Sequence, residues 1–275
     1  MIKLSKRLEA LCRLCIAPTQ SVGEPAPALR RFRDLPSGKS TEFAGSVAAD
    51  VGCDHGYLSI RLIQEGRFEK VLAMDLREGP LEAAKEHVAE AGLSEHIECR
   101  LSDGLRAMRP GEADSMICAG MGGPLMQRIL EQDIDKVRQM KQLVLQPQSD
   151  IAQFRRWLRE NGFVIAAEDI VFEDGKYYPM MRTVTGAPER IGSEKENVSP
   201  EQDTDPELAD AFGPLLLIQR HPVLLEYLKQ RDGFVSEALD QLDKAQRAGS
   251  DERRAQRMEE LQQEKELIYR AMALY

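Results

Sequence analysis

Between residues 46 and 119 the chain alternates short apolar runs with stretches whose apolar positions recur every three or four residues. Ser46–Val51, Lys70–Asp75, Ile97–Leu101 and Asp114–Ala119 read as strands, with Gly56–Glu65 and Gly79–Gly92 as helices among them. Apolar strands separated by helical stretches predict βαβ units around a parallel sheet covered on both faces. The rhythm continues with a helix near Pro124–Ile134 and a strand at Gln142–Gln146. An amphipathic helix then runs from Asp150, read as its N-cap, to Glu160, where Gly162 stops it. Phe163–Phe172 and Lys176–Thr185 flank Glu173-Asp174-Gly175, and Asp-Gly between two β-type runs predicts a hairpin. An antiparallel pair therefore ends the sheet.

Outside this α/β region the pattern changes. The first sixteen residues form an amphipathic helical pattern with an acid inside it, unlike a secretory leader. Residues 18–44 carry Pro18, Pro25, Pro27 and Pro36 and read as a flexible insertion that holds Arg30-Arg31-Phe32-Arg33. Residues 186–212 are polar, contain three prolines and read as an acidic linker. From 213 to 275 a helical hairpin is expected. Leu224, Leu228, Val235, Leu239 and Leu242 line its first helix, and Met258, Leu261, Leu267 and Ile268 its second. Gly249 is placed as the stop and Ser250 as the N-cap between them.

A chain of 275 residues, 42% hydrophobic and 30% charged, can bury a full core, which excludes a disordered or fibrous protein. No run approaches about eighteen apolar residues, so a soluble, cytoplasmic protein without a membrane partner is expected. Five cysteines, mostly inside regular elements, suit reduced thiols. Cys12 and Cys15 form a CxxC with no second ligand pair, so no metal is expected. The net charge of −9 argues against nucleic acid, yet it is unevenly spread. Residues 1–39 hold eight bases against three acids, whereas residues 187–212 hold eight acids against two bases.

The chemistry concentrates at strand ends, where open α/β sheets bind ligands. The first strand runs into Asp50-Val51-Gly52-Cys53-Asp54-His55-Gly56-Tyr57-Leu58, a glycine-containing turn that lacks GxGxxG. Asp54 and His55 would crowd and oppose a pyrophosphate at that helix start, so a cationic cofactor such as S-adenosylmethionine fits better. Asp75 ends the second strand, 23 residues after Gly52, close to the spacing that places an acid on ribose hydroxyls. Asp103, beside Gly104, follows the third strand and is placed to accept from the adenine amino group. Ala119-Gly120-Met121-Gly122-Gly123 follows the fourth, where three glycines suit a close backbone approach. A parallel sheet finished by a hairpin resembles the class I, Rossmann-like methyltransferase fold.

The motifs together resemble the TrmK family of bacterial tRNA (adenine-N1)-methyltransferases. Ser5-Lys6-Arg7-Leu8, the 50–58 turn, Ser102-Asp103-Gly104-Leu105, the 119–123 loop, Leu145-Gln146-Pro147-Gln148 and Glu173-Asp174-Gly175-Lys176-Tyr177-Tyr178 stand in that family's order. Two departures are the length of 18–44 and of 187–212; Cys53 and Gly56 also replace the usual Ser and Ala. The resemblance implies a methyltransferase domain over 1–185 and methylation of tRNA at N1 of adenine 22.

 The target adenine must leave any helix it sits in, because N1 lies on the Watson–Crick edge. N1 attacks with its own lone pair, so no general base is required, and a carboxylate near N1 would stabilise the cation formed. On this resemblance Asp54, with Tyr57 and His55, forms the catalytic set. Arg7, Asp50, Gly52, Asp75, Asp103, Gly104, Ala119, Gly120, Met121 and Gly122 form the cofactor set. Lys6, Gln146, Pro147, Arg155 and Arg156 form the substrate set, with Arg159 as a further candidate phosphate contact. Two alternatives stay open: a methyltransferase of another acceptor, and a non-catalytic RNA-binding module of the same fold. The oligomeric state is not legible in the sequence.

Overall fold

The computed structural model describes residues 4–16, 46–185, 205–246 and 251–275. The stretch 18–44 with its arginine cluster, Gly249 and Ser250 lie outside the described residues. The chain divides into two units, Met1–Glu194 and Lys195–Tyr275.

In the first unit the elements follow the order α1 (Lys6–Leu14), β1 (Val47–Val51), α2 (Tyr57–Gln64), β2 (Lys70–Asp75), α3 (Glu78–Glu90), β3 (Ile97–Leu101) and β4 (Ser115–Met121). There follow α4 (Gly123–Gln132), α5 (Ile134–Val137), β5 (Gln142–Pro147), α6 (Ile151–Glu160), β6 (Phe163–Glu173) and β7 (Lys176–Thr185). The strands form one seven-stranded sheet, ordered β3-β2-β1-β4-β5-β7-β6. The first five strands pair in parallel, and β7 pairs antiparallel with both β5 and β6. Strand order reverses between β1 and β4, which opens a crevice at their carboxyl ends.

Alternate strand residues feed two cores, as a period of two requires. Ala48, Val71, Ala73, Ile117 and Val144 pack with Leu11, Ile60, Leu62 and Val88 from α1, α2 and α3. Ala49, Leu72, Met74, Met116, Leu143 and Leu145 pack on the other face with Met126, Leu130, Phe154 and Leu158 from α4 and α6. Both faces are covered, which is why these strands read as continuous apolar runs.

The predicted hairpin forms. Asp174 (φ 48°) and Gly175 (φ 76°) take the left-handed pair that a two-residue turn between right-twisted strands demands. Glu173, one residue before that turn, reaches α1. Its carboxylate accepts from the main-chain N–H groups of Lys6 (2.6 Å) and Arg7 (3.4 Å), while Ser5 Oγ accepts from Leu8 N (3.3 Å). Burial works against the charge on Glu173, but these donors hold it below the usual carboxylate range. Where α1 ends, Gln142 Oε1 accepts from Ile16 N (3.2 Å) and Gln142 Nε2 donates to Ile16 O (2.5 Å). The helix is thus fixed at both ends to the far side of the sheet.

Three local expectations are corrected. Asp150 precedes α6 but does not cap it: its backbone is left-handed (φ 52°) and its side chain makes no capping bond. The stretch read as linker is helical in its last part, because Pro206 starts α7 (Pro206–Phe212) and Asp205 Oδ1 accepts from Glu207 N (2.9 Å). Asp251, not Ser250, caps the final helix through Arg253 N (3.1 Å).

The second unit holds α7, α8 (Pro214–Ile218), α9 (Pro222–Gln246) and α10 (Glu252–Met272). The expected hairpin is α9 with α10, which bury Leu224, Leu228 and Val235 along with Leu261, Ile268 and Ala271. Arg231 bridges to Glu264 between them (3.0 Å), and Arg270 ties α10 to Asp205 and to Glu207 (3.3 Å) at the start of α7. No described helix is long and apolar enough to cross a membrane.

Candidate active site

The carboxyl ends of β1, β2, β3 and β4 enclose a cleft of about 450 Å³. That size suits a small ligand of the nucleoside class. Asp50 stands at its floor, 3% exposed, with Oδ2 accepting from Ser59 Oγ at 2.6 Å. Burial pushes its carboxyl up to about 6, against the Ser59 hydrogen bond and with nearby Asp75 adding to the rise. The turn after β1 folds back on β2: the N–H groups of Gly52 (2.8 Å) and Cys53 (2.9 Å) both donate to Met74 O.

Asp75 braces the same turn. Its Oδ2 accepts from Asp54 N (3.1 Å) and its Oδ1 from Arg77 N (2.9 Å). The Arg77 guanidinium lies 3.6 Å from Asp75 and 3.7 Å from Asp54. Asp54 itself is in the left-handed region (φ 51°), its side chain 58% exposed and 3.8 Å from His55 Nε2. Tyr57 lines the cleft beside them, its Oη 3.2 Å from His87 Nε2. Asp103 borders the opposite wall and pairs with Arg106 at 3.5 Å. Leu76, Leu125 and Ile129 supply the apolar lining.

The carboxyl end of β4 brings Ala119, Gly120 and Met121 to the cleft. Gly120 N donates to Gln146 Oε1 at 3.2 Å. Gly122 is not part of the lining, contrary to expectation, because the chain itself occupies the space beside it. A Cβ there would meet Ser149 Oγ at 2.9 Å, and one on Gly123 would meet Ser149 O at 2.6 Å. Two of the three glycines therefore serve the packing of the loop after β5. Arg7 completes the rim from α1, its guanidinium carbon 5.3 Å from the centre of the Tyr178 ring.

The substrate set fares differently. Arg155 is buried, 2% exposed, and its Nε donates to Glu168 Oε1 at 3.1 Å, so it joins α6 to β6 and offers no phosphate contact. Gln146 is wholly buried, its carboxamide bonded to Gly120 N and to Pro147 O (3.1 Å), and Pro147 is buried beside it. Neither presents an edge to the cleft. Arg156 and Lys6 are exposed and are not among the residues that line the cleft, although Lys6 adjoins Arg7, which is. Sequence reasoning passed over His87 and Arg77; the usable signal was their place on the helix and strand end adjoining the turn.

The donors and acceptors of this cleft fit S-adenosylmethionine. Asp50 is a buried carboxylate whose charge a cationic ligand would stabilise, and Asp75 and Asp103 follow at the next two strand ends. The amides that a pyrophosphate would need in the first turn are committed to Met74 O. Arg7 and Arg77 provide cations for a carboxylate. Among the described residues no group of three or more His, Cys, Asp or Glu is arranged for a metal ion.

Comparison with known proteins places the chain. It is 37% identical over 142 residues to the tRNA (adenine(22)-N(1))-methyltransferase of Bacillus subtilis (strain 168), an alignment covering 52% of this chain and 60% of that one. The chain spans about three fifths of the length of the curated relatives it matches. The crystal structure of the B. subtilis M1A22 tRNA methyltransferase TrmK superposes with a TM-score of 0.76 at 27% identity, covering 99% of this chain and 100% of that one. Streptococcus pneumoniae Sp1610 in complex with S-adenosyl-L-methionine superposes with a TM-score of 0.71 at 26% identity, covering 98% and 100%. The methyltransferase domain family matches residues 40–181, half of the chain and the whole of the cleft apart from Arg7 and Leu8, and the chain belongs to that family.

Proposed function

We propose that this protein is a cytoplasmic, S-adenosylmethionine-dependent methyltransferase that methylates N1 of an adenine in tRNA, at position 22. The observation that carries the reading is the convergence of Asp50, Asp75 and Asp103, from three successive strand ends, on one cleft whose rim holds Asp54 and Tyr57. The B. subtilis relatives named above supply the acceptor and its position.

S-adenosylmethionine supplies, when bound, an electrophilic methyl group on a sulfonium centre. Asp50, Asp75, Asp103, Arg7 and residues 119–121 would hold it. Asp50 and Asp75 present negative charge to a cation, and Asp103 presents an acceptor to an amino group. Leu76 and Leu125, exposed on the cleft walls, offer apolar surface for a bound ligand to cover. Adenine N1 needs no deprotonation, so the residues around it have to orient and to stabilise charge. Asp54 is exposed at the rim and fixed through its own N–H to Asp75, which suits a carboxylate that faces the positive charge of N1-methyladenine. Orientation of this kind contributes about 7–11 kcal/mol in well-ordered cases. Arg156 and Arg159, exposed on α6, are the described candidates for tRNA phosphate contacts.

Mass spectrometry of nucleosides from unmodified tRNA, incubated with the protein and S-adenosylmethionine, tests the reading. N1-methyladenine is the expected product. Donor binding without any methylated tRNA would move the assignment to another acceptor, and absence of donor binding would favour a non-catalytic module. Asp54→Asn, which keeps a residue tolerant of left-handed backbone, is expected to retain fold and donor binding and to lose at least about tenfold in kcat.

A further inference from the structure

Tyr57 occupies the first position of α2 and His87 the last turn of α3. Their side chains meet at 3.2 Å, Tyr57 Oη to His87 Nε2, while His87 Nδ1 lies 3.0 Å from the main-chain oxygen of His55. A carbonyl oxygen only accepts, so Nδ1 must carry a hydrogen. A neutral imidazole has one N–H, so Nε2 is the acceptor and the phenol is the donor. One main-chain oxygen in the turn thereby sets the direction of both bonds. The phenol proton is committed to His87, and the phenol oxygen keeps acceptor capacity alone toward any further group.

The packing reinforces this chain of bonds. The Tyr57 and His87 rings stack with centroids 4.6 Å apart and planes at 25°, and the His55 ring lies 6.1 Å from Tyr57 and 6.0 Å from His87. Tyr57 is 36% exposed, and a ring so placed would otherwise turn about two side-chain torsions. His87 holds it by an edge bond and a stacked face at once. Asp54 and His55 precede Tyr57 in the same turn, so the bond to His55 O restrains the backbone that carries Asp54 as well.

We propose that His87 is a positioning residue for methyl transfer, acting as the Nδ1–H tautomer to lock Tyr57 and the 54–57 turn at the acceptor side of the cleft. The inference rests on the function proposed above, and it extends that reading to a residue that does not line the cleft. Its two consequences are separable. The tautomer is a property of the protein alone, whereas the effect on turnover requires the reaction.

Nitrogen-15 NMR of the histidine rings, in cofactor-free protein at a pH where imidazoles are neutral, is expected to show His87 protonated at Nδ1 and bare at Nε2. The opposite tautomer would overturn the proposal. His87→Phe keeps a flat ring against Tyr57 without either nitrogen, and is expected to lower kcat about tenfold while the KM for S-adenosylmethionine stays within about twofold. Calorimetric binding of the donor should be unchanged. His87→Gln, which can accept from Tyr57 and donate to His55 O, is expected to recover most of the loss. If His87→Phe does not fold, His87→Gln compared with His87→Asn, whose shorter amide cannot span both partners, carries the same test. Full kcat in a folded His87→Phe protein would sink the idea. Wild-type protein that leaves tRNA unmethylated would remove the reaction and this role with it, while the tautomer would still report whether the lock exists.

Discussion

Gly52 and Met121 fit together across the strand-order reversal: a Cβ on Gly52 would run into Met121 Cε. The Met121 sulfur also rests 3.8 Å from Cys118 Sγ. The thioether therefore fills the space between the turn after β1 and the end of β4, two backbone segments that line the cleft.

Gly52→Ala should destabilise the protein by about 1–3 kcal/mol, because Gly52 also sits at φ 76°, where an L side chain is strained. Adding Met121→Ala removes the collision but not the strained backbone, so the double variant should recover nothing of that part. Urea unfolding measures both. A Gly52→Ala protein as stable as wild type would show that the turn relaxes freely.

Asp50 links the site to stability in a definite direction. Its folded carboxyl titrates at about 6 against an ordinary 3.8, so the folded state holds a proton that the unfolded chain releases between those values. Stability from this group is present below about 4 and is lost as pH rises through about 6. Asp50→Asn removes that loss and should stabilise the cofactor-free protein above pH 6 by on the order of 2–3 kcal/mol, converging with wild type in acid. The same variant should bind S-adenosylmethionine more weakly. Thermal unfolding across pH, with calorimetry of the donor, checks both halves.

Gln146 acts through Gly120. Gln146→Leu leaves Gly120 N–H without its carboxamide acceptor and should cost about 1–3 kcal/mol. Donor affinity should fall while the KM for tRNA holds. A shift confined to the tRNA KM would instead return Gln146 to the acceptor side.

The neighbours Arg155 and Arg156 should separate cleanly. Arg155→Ala deprives buried Glu168 of this guanidinium and should cost about 3–5 kcal/mol, and Arg155→Met with Glu168→Leu should cost much less. Arg156→Ala, at an exposed position, should cost less than about 1 kcal/mol and weaken tRNA binding most at low salt. Equal effects of the two single variants on unfolding would contradict the burial of Arg155.

The sheet was legible because its strands are buried on both faces and its helices are not, a contrast that one sequence displays. The hairpin was legible through Asp174-Gly175, where turn geometry leaves little choice. Cleft acids at Asp50, Asp75 and Asp103 could be placed because strand ends can be counted. What failed required knowing which side of an element faces inward: Arg155 and Arg156 are adjacent, and only the helix register against Glu168 buries one and exposes the other. Gln146 failed for the same reason. His87 was invisible because its partners lie 30 and 32 residues away and meet it through one phenol and one main-chain oxygen. α7 was hidden in the stretch read as linker, where acidity and three prolines suggest no regular structure, although proline is equally at home in the first turn of a helix.

The anchoring of α1 by Gln142 and Glu173 has a bearing on synthesis. Lys6 and Glu173 are 167 residues apart, and Ile16 and Gln142 are 126 apart. At about 5–20 residues per second the ribosome needs roughly six to thirty seconds to cover such intervals. Until Gln142 is made α1 has neither clasp, and until Glu173 is made it lacks the one that holds Lys6 and Arg7. α1 can complete both clasps only after the β6–β7 hairpin has emerged, and Arg7 takes its place at the rim of the cleft with the second of them.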